Sequence, residues 1–226
     1  ERNPYYPFVD TEGNQLPYID RIRVNLVNKR EMAATKAATG EATLCGRYTN
    51  TYDIPLYKKN EAKEEYKTLI YSRSYGADVL IQLNHSHKDP RMRNILGNVD
   101  FRRSLSLAID RDAISKKVYF GHSTPRQFTA PPMMDRYFKP EFAEAYAEYN
   151  PEKAQELLDK IGMKDVNGDG YREGPEGELF NPILIYCNNI GPVNPTPVLE
   201  LLRSRWEEIG INIDIKMVDR SLHWQR

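Results

Sequence analysis

One stretch of the sequence, Asp165–Glu176, carries the side chains of a calcium-binding loop at nearly the required spacing. The oxygen-bearing residues and the glycine expected at loop positions one, three, five, six and twelve are Asp165, Asn167, Asp169, Gly170 and Glu176. However, Arg172 replaces an apolar residue, Pro175 precedes the glutamate that should bind in bidentate fashion, and a strand pattern follows where a second helix should begin. The stretch therefore favours an Asx-rich hairpin turn, and a weak calcium loop is the alternative.

The histidines and cysteines form no recognisable metal or catalytic motif. His85 and His87 would share one face of a strand, but no third His, Cys or carboxylate follows at a zinc spacing. Cys187 ends an apolar run beside a polar loop, yet no histidine accompanies it with the signature of a cysteine enzyme. The glycine-rich, serine and metal-binding motifs of common enzyme families are also absent from the sequence. The sequence therefore predicts no catalysis, no metal and no cofactor, and it leaves Cys45 and Cys187 either free or bridged.

Polar side chains follow a short apolar run at residues 182–187, which has the composition of a buried strand. Asn188 and Asn189 come directly after it, and Thr196 follows close behind. Ligands of open α/β sheets bind beyond the carboxyl ends of the strands, within reach of such amide and hydroxyl groups. These three residues are therefore candidate ligand contacts, and an Asx turn without a ligand is the alternative.

The elements after that run predict a β-α-β unit. A helix over about 196–209 ends at Gly210, and alternating apolar residues predict a strand over 211–217. Asp219 or Ser221 is expected to cap a further helix. Because this order favours parallel pairing, the carboxyl ends of both strands are expected at one edge of the sheet.

The N-terminal part predicts a similar unit. A strand at 22–26, a helix over 29–39 that Asn28 caps and Gly40 ends, and a short strand at 43–45 follow one another. Farther on, the pattern predicts one helix and two strand-like runs, over residues 53–65, 66–71 and 77–83.

The clearest helix begins at an apolar stripe that starts with Phe101, so Asp100 is the expected N-cap. Asp110 and Asp112 interrupt the stripe, and a second helix is expected to stop at Gly121. The basic residues of this pair are expected on a solvated face: Arg102, Arg103, Arg111, Lys116 and Lys117. Two later amphipathic helices are predicted over residues 140–149 and 151–161.

The overall composition excludes several classes of protein. Lys plus Arg and Asp plus Glu each number 32 in 226 residues, so no net charge attracts a polyanion and no nucleic-acid partner is expected. No run approaches the ~20 apolar residues of a transmembrane helix, and residues 1–8 lack the features of a signal peptide. Because the first residue is not Met, we expect a mature product or an internal piece of a longer chain.

Five segments occur in an order that identifies a family. They are RNPYY with GNQLPYIDRI, DVLIQLN, DFRRSLSLAIDRDAI with VYFG, YNPEKAQELLDKIG with DVNGDGYRE, and WEEIGINIDIKMVDRSLHWQR. They cover nearly the whole chain, and the third is the most specific. Together they resemble the family 5 extracellular solute-binding proteins of ABC importers, which bind oligopeptides, dipeptides, nickel complexes and oligosaccharides.

The resemblance implies an α/β fold of the periplasmic-binding-protein type II-like kind, with lobes of mixed β-sheet flanked by helices, here truncated. It implies that residues 1–76 belong to lobe one, that residues 77–84 form the strand crossing the hinge, and that residues 85–226 form most of lobe two. The family's Trp and Asp segment, which holds the amino terminus of a bound peptide, is expected beyond Arg226. The segment that corresponds to Asp165–Glu176 forms a hairpin in the family, so the resemblance favours the turn over the calcium loop.

The resemblance also implies a function. The chain is expected to belong to the substrate-binding component of an ABC transporter, with a small solute, an oligopeptide or oligosaccharide, and permease subunits as partners. It is expected in the periplasm or outside the cell, touching the membrane only through a lipid anchor or the permease. By position in the family, the ligand candidates are Asn84, Asn188, Asn189, Thr196, Asp219 and Leu222. The alternatives are a non-catalytic interaction domain and an enzyme with an unrecognised site.

Overall fold

A computed structural model of the chain describes residues 1–46, 49–71, 75–187 and 193–223. Short helices make up most of its regular structure, and a parallel strand pair lies toward the carboxyl end. In chain order the elements are α1 (Arg30–Ala38), α2 (Ile54–Asn60), α3 (Pro90–Gly97), α4 (Val99–Leu107), α5 (Arg111–Val118), α6 (Pro140–Glu144), α7 (Pro151–Lys160), β1 (Ile183–Tyr186), α8 (Thr196–Glu207), β2 (Asp214–Met217) and α9 (Arg220–His223). None of the helices in these ranges is long and apolar enough to cross a membrane.

Helices α4 and α7 pack along each other at the centre of the larger buried cluster. Phe101 of α4 is 1% exposed, and its ring meets that of Phe180 edge-on with 5.4 Å between the ring centroids. Ala154 and Leu158 of α7 are fully buried against the same cluster. The apolar stripe that the sequence predicted is therefore the face that this core covers.

The predicted N-cap of α4, Asp100, is wrong. The side-chain oxygen of Asn98 accepts hydrogen bonds from the backbone N–H groups of Asp100 and Phe101, at 2.8 and 3.3 Å. Asp100 lies instead in the first turn, where its carboxylate pairs with Lys160 at 2.6 Å, and this contact lowers the pKa of Asp100. Both residues are acceptors at the start of one apolar stripe, so the stripe alone does not decide which of them is the cap.

Replacing Asn98 by Ala is expected to lower the free energy of unfolding by about 1 kcal/mol, because two N–H groups of the first turn lose their acceptor. Asn98→Asp keeps an acceptor in place and is expected to keep most of the stability. Asp100→Asn is the matched control and should cost less, because its partner Lys160 is exposed. Urea unfolding followed by circular dichroism measures all three, and a greater loss for Asp100→Asn would reverse the cap assignment.

Other helix predictions are confirmed in place but shortened in length. Asp110 caps α5 by accepting from the Ala113 N–H at 2.9 Å, and Asn150 caps α7, which begins at Pro151 as predicted. Helix α6 ends at Glu144, and the chain turns at Tyr146, where φ is +54°. A residue with positive φ does not have the backbone geometry of an α-helix, so the helix predicted over 140–149 does not extend to Tyr146.

The predicted β-α-β unit near the carboxyl end is confirmed. Strands β1 and β2 pair in parallel, with Tyr186 opposite Met217, and α8 connects them. The indole N–H of Trp206 in α8 donates to the carbonyl of Leu105 at 3.0 Å, which ties this unit to α4. The two strands form the sheet of an α/β fold, and helices α4 and α8 cover the core beside it.

The strands predicted at 22–26, 43–45, 66–71 and 77–83 are wrong, because none of these segments pairs with another strand in the described part of the chain. The exposed fraction of Leu26 is 93%, although its alternating pattern predicts a half-buried face. A strand needs a neighbour that completes its hydrogen bonds and covers its apolar side chains. The first predicted β-α-β unit is therefore not formed.

Helices α1 and α2 enclose a second, smaller buried cluster of Ala34, Ala38 and Tyr57. Lys29, and not the predicted Asn28, occupies the N-cap of α1 and makes no side-chain cap hydrogen bond. The helix predicted over 53–65 is reduced to a 3₁₀ turn followed by α2. The N-terminal part is thus held by a smaller apolar core than the rest of the chain.

Candidate functional site

Polar side chains gather where β1 ends and α8 begins. The hydroxyl of Tyr186, the last residue of β1, lies 2.9 Å from the hydroxyl of Thr196 at the start of α8. The side-chain oxygen of Asn194 accepts from the Thr196 N–H at 3.0 Å, which forms an Asx turn ahead of the helix. These groups are uncharged donors and acceptors, and they can hydrogen-bond a polar ligand without a proton transfer.

Tyr52 reaches the same place from the N-terminal part of the chain. Its hydroxyl donates to the backbone carbonyl of Asn194 at 3.2 Å, although the two residues are 142 positions apart. Tyr52 lies in the 3₁₀ turn Thr51–Asp53, where the Asn50 side chain accepts from its N–H at 3.4 Å. No sequence pattern predicted a role for Tyr52. An Asn before a turn containing Tyr is a local signal, and it carries no information about a contact so distant in sequence.

A second tyrosine, Tyr119, is buried near Tyr52 at the end of α5. Burial, followed by the charges of Asp78 and Tyr52, raises the pKa of Tyr119 above its usual value. Burial also raises the pKa of Tyr52. An unperturbed tyrosine loses its proton near pH 10, so both phenols are protonated, and the Tyr52 hydroxyl is a donor, throughout the neutral range.

The carboxyl end of β2 lies beside that of β1, because the Val218 N–H donates to the carbonyl of Tyr186 at 2.9 Å. Asp219 follows directly and is exposed, and Leu222 in α9 is half-exposed. The structure therefore brings two of the ligand candidates, Thr196 and Asp219, to the same edge of the sheet.

Asn84 lies in a different environment. It precedes α3, is exposed, and accepts from the Ser86 N–H through its side-chain oxygen at 2.9 Å, as in an Asx turn. No hydrogen bond joins Asn84 to the strand ends within the described ranges. The remaining candidates, Asn188 and Asn189, lie outside the described residues.

The calcium-like segment forms a turn that satisfies its own polar groups. The carboxylate of Asp165 accepts from two backbone N–H groups of the turn, at 2.6 and 2.9 Å. Glu173 is 8% exposed and accepts from the Val166 N–H and from the Asn167 side-chain amide. For the ranges described above, the carboxylates that meet within 4.8 Å are those of Asp165, Asp169 and Glu173; Glu176, the predicted twelfth ligand, is not among them.

Adding millimolar Ca²⁺ is expected to leave the melting temperature unchanged. The Asp165 and Glu173 oxygens already accept hydrogen bonds from the turn, so a cation would have to replace those bonds. A ligand that binds only the folded state stabilises it by RT ln(1 + [L]/Kd), so it raises the melting temperature. Thermal scans with Ca²⁺, with Mg²⁺ and with a chelator measure the effect, and a rise with Ca²⁺ alone would restore the calcium-loop alternative.

The described residues offer no support for the nucleophile and zinc alternatives. Cys187 is buried and Cys45 is exposed, and both thiols are free. A buried thiol is not accessible to a substrate. The ring of His85 lies 3.4 Å from the guanidinium of Arg102, and neither His85 nor His87 belongs to a metal-capable cluster in the described part of the molecule.

Comparisons with known proteins agree on one family. The family model described as bacterial extracellular solute-binding proteins, family 5 middle, matches residues 1–226. The oligopeptide-binding protein OppA of Lactococcus lactis subsp. lactis (strain IL1403) is 25% identical over 94% of this chain and 34% of its own length. The periplasmic alpha-galactoside-binding protein of Rhizobium meliloti (strain 1021) is 27% identical over 96% of this chain and 32% of its own.

Solved structures have the same fold. A structure of an oligopeptide-binding protein OppA matches the whole chain with a TM-score of 0.73 and 34% identity, over 36% of that protein. A periplasmic oligopeptide-binding protein of Thermotoga maritima covers 88% of the chain with a TM-score of 0.61 at 23% identity. The predicted α/β class of periplasmic-binding-protein type II is confirmed, and the chain spans about a third of the length of the relatives it matches. Because the family model covers every residue, this chain belongs to the bacterial extracellular solute-binding proteins of family 5.

Proposed function

We propose that the chain forms part of the substrate-binding component of an ABC transporter, which captures an extracellular oligopeptide in a two-lobed cleft and delivers it to a membrane permease. The observation that carries this proposal is the family match over all 226 residues. In such a clamp, a solute favours the closed form only through contacts made with both lobes. The closed form is then the one that docks on the permease.

The buried clusters support a division into lobes. Residues 1–76 form part of lobe one, residues 77–84 cross the hinge, and residues 85–226 form most of lobe two. The smaller cluster around Tyr57 lies within the first range, and the larger cluster around Phe101 is built mainly from the third. Within lobe one, apolar side chains such as that of Leu26 are exposed, as expected where other segments of a longer chain complete the lobe.

The cleft wall of lobe two is the sheet edge where β1 and β2 end. Thr196 and Asp219 lie there, with Leu222 close behind in α9. We assign ligand contact to these three residues and to Asn188 and Asn189. Asn84 is assigned to the hinge, since it is the last residue of the crossing segment.

Oligosaccharide is the second candidate solute, and a specific observation favours it. The Rhizobium relative is named for binding alpha-galactosides, and it is about as similar to this chain as the oligopeptide-binding relative from Lactococcus. The described polar groups at the sheet edge are mainly hydroxyls and amides, which suit sugar hydroxyls as well as peptide amides. We further propose that the chain is not an enzyme, needs no cofactor, and acts in the periplasm or outside the cell, with a lipid anchor or the permease as its contact with the membrane.

A thermal-shift screen with peptide and sugar libraries tests the proposal. It is run on a protein of the relatives' length that contains these residues, because a pocket buries most of its ligand between two walls. Stabilisation by one class of solute, confirmed by calorimetry, is the expected result. Thr196→Val and Asp219→Asn should weaken binding, whereas Val166→Ala, an exposed change in the turn, should not. Absence of any shift, or turnover of a library member, would contradict the proposal.

The isolated 226-residue chain is expected to bind the same solute far more weakly, because one wall of the cleft is incomplete. Calorimetry on the two proteins compares the affinities. Equal affinities would contradict the two-lobe mechanism while leaving the binding function in place.

A further inference from the structure

A hydrogen bond connects the parts of the chain that the proposed function assigns to different lobes. The hydroxyl of Tyr52 donates to the carbonyl of Asn194, and the Tyr52 ring packs against the larger buried cluster. Tyr52 belongs by sequence to the N-terminal part, yet its ring is covered by the core of the other part. It is therefore positioned to hold the two parts together.

The acceptor of this bond is a fixed point of the candidate site. Asn194 is anchored by its own side chain, which accepts from the Thr196 N–H, and the Thr196 hydroxyl contacts that of Tyr186. The bonds therefore run without interruption from the N-terminal 3₁₀ turn, through the loop before α8, to the end of β1. A displacement of the turn would be transmitted to the loop, because a backbone carbonyl cannot move without its peptide unit.

Tyr52, whose hydroxyl is the donor, is also held in place by its neighbours. The Tyr52 N–H is held by the side chain of Asn50, and the turn leads directly into α2. The ring is half-buried and has only two side-chain torsions, so little conformational entropy is lost when the bond forms.

We propose that Tyr52 is a clasp between the lobes: its hydroxyl holds the segment 51–60 to Asn194, just before α8, so that the two cleft walls stay aligned with each other. Tyr52 is a positioning residue for Asn194 and Thr196, and solute contact is left to the groups at the sheet edge. Its meaning for transport rests on the proposed function, but the physical coupling of the two segments does not.

Hydrogen exchange measured by mass spectrometry on the 226-residue chain tests the clasp with Tyr52→Phe. This variant keeps the packed ring and removes only the donor. Losing one hydrogen bond corresponds to about a threefold to tenfold increase in the opening of the segments that it joins. We expect faster exchange both at 51–57 and at 193–199, and no change in α7, which lies outside the contact.

Tyr66→Phe is a matched control. The Tyr66 hydroxyl donates to the carbonyl of Tyr57 at 2.6 Å, so the same chemical group is removed from a bond that stays within the N-terminal part. It should increase exchange near 57–66 and leave 193–199 unchanged. If Tyr52→Phe affected 51–57 alone, or neither segment, the clasp would be overturned. Loss of protection that extended to α7 would also overturn it, because Tyr52 would then act on the whole core.

The hydrogen-exchange experiment and the solute screen can succeed or fail independently of each other. Coupled exchange with no solute found in the screen would support the clasp and contradict the proposed function. If a solute is found, the same substitution in the longer protein should accelerate solute release by a similar threefold to tenfold, with the ring packing unchanged. An unchanged release rate would overturn the assignment of Tyr52 as a positioning residue for the cleft.

Discussion

Replacing Phe101 by Ala is expected to lower the free energy of unfolding by about 3–5 kcal/mol. The Phe101 ring is 1% exposed, belongs to the buried cluster to which α4 and α7 both contribute, and meets Phe180 edge-on. The substitution removes the burial of the ring and leaves a cavity that neighbouring helices only partly fill. Urea unfolding followed by circular dichroism measures the loss.

Two further variants test whether the stability lost in Phe101→Ala comes from the packing of the ring. Phe101→Leu retains most of the apolar volume and should lose clearly less stability than Phe101→Ala. Phe142→Ala removes the same aromatic ring from a position that is 62% exposed and should change stability little. Equal losses for Phe101→Ala and Phe142→Ala would contradict the assignment of the core to the α4–α7 contact.

Replacing Arg111 by Met is expected to lower the free energy of unfolding by about 2–4 kcal/mol, because partly buried acceptors lose a charged donor. The guanidinium donates to the carbonyl and hydroxyl of Ser106 and to the carbonyl of Ala147, at 2.9–3.1 Å. Burial lowers the pKa of Arg111, but the group remains charged at neutral pH. Methionine fills the space of the side chain but donates no hydrogen bond.

Arg111→Lys separates the contribution of the planar guanidinium donors to stability from the contribution of the positive charge. A lysine keeps the positive charge but presents one ammonium group, which cannot reproduce the planar set of donors, so it should restore less than half of the loss. Lys117→Met removes a positive charge from an exposed position of the same helix and should be nearly neutral. Full stability in Arg111→Lys would show that charge, and not the hydrogen-bond network, is what Arg111 contributes.

The network around Ser106 explains why Arg111 has this role. The Ser106 hydroxyl donates to the carbonyl of Tyr146, and the Gln127 side-chain amide donates to the Ser106 hydroxyl at 2.6 Å. Together these contacts join the end of α4 to the segment after α6, where the chain turns at Tyr146 with positive φ. A turn of this kind has few backbone partners of its own, so side chains from α4 and α5 satisfy it.

In the proposed mechanism, the clasp at Tyr52 affects how a solute binds at the strand ends. A solute that bridges the walls would add contacts to a pair of segments that Tyr52 already aligns. Pre-alignment lowers the ordering cost of binding, so it increases affinity without a direct contact to the solute. We therefore expect the clasp to affect the rate of solute release more than the choice of solute.

The sequence by itself determined the elements that depend on local signals. The stripe at Phe101, the break near Asp110, the helix that starts at Pro151 and the parallel β1–α8–β2 unit were predicted from the apolar period and the turn residues, and the structure contains them. Family membership was also predicted from sequence, because the five segments and their order are properties of the chain alone. These features need only neighbours a few residues away, or a strand pair joined by one helix.

Only the tertiary structure decided which local patterns were realised. The alternating residues at 22–26 find no partner strand among the residues that the structure describes, so their pattern does not produce a strand there. Arg111 was predicted on a solvated face with its basic neighbours, yet it is held by carbonyls that other elements bring to it. Tyr52 joins the candidate site through a contact across 142 residues. Burial and long-range hydrogen bonds are properties of which surfaces meet, and the residue pattern of one segment does not contain that information.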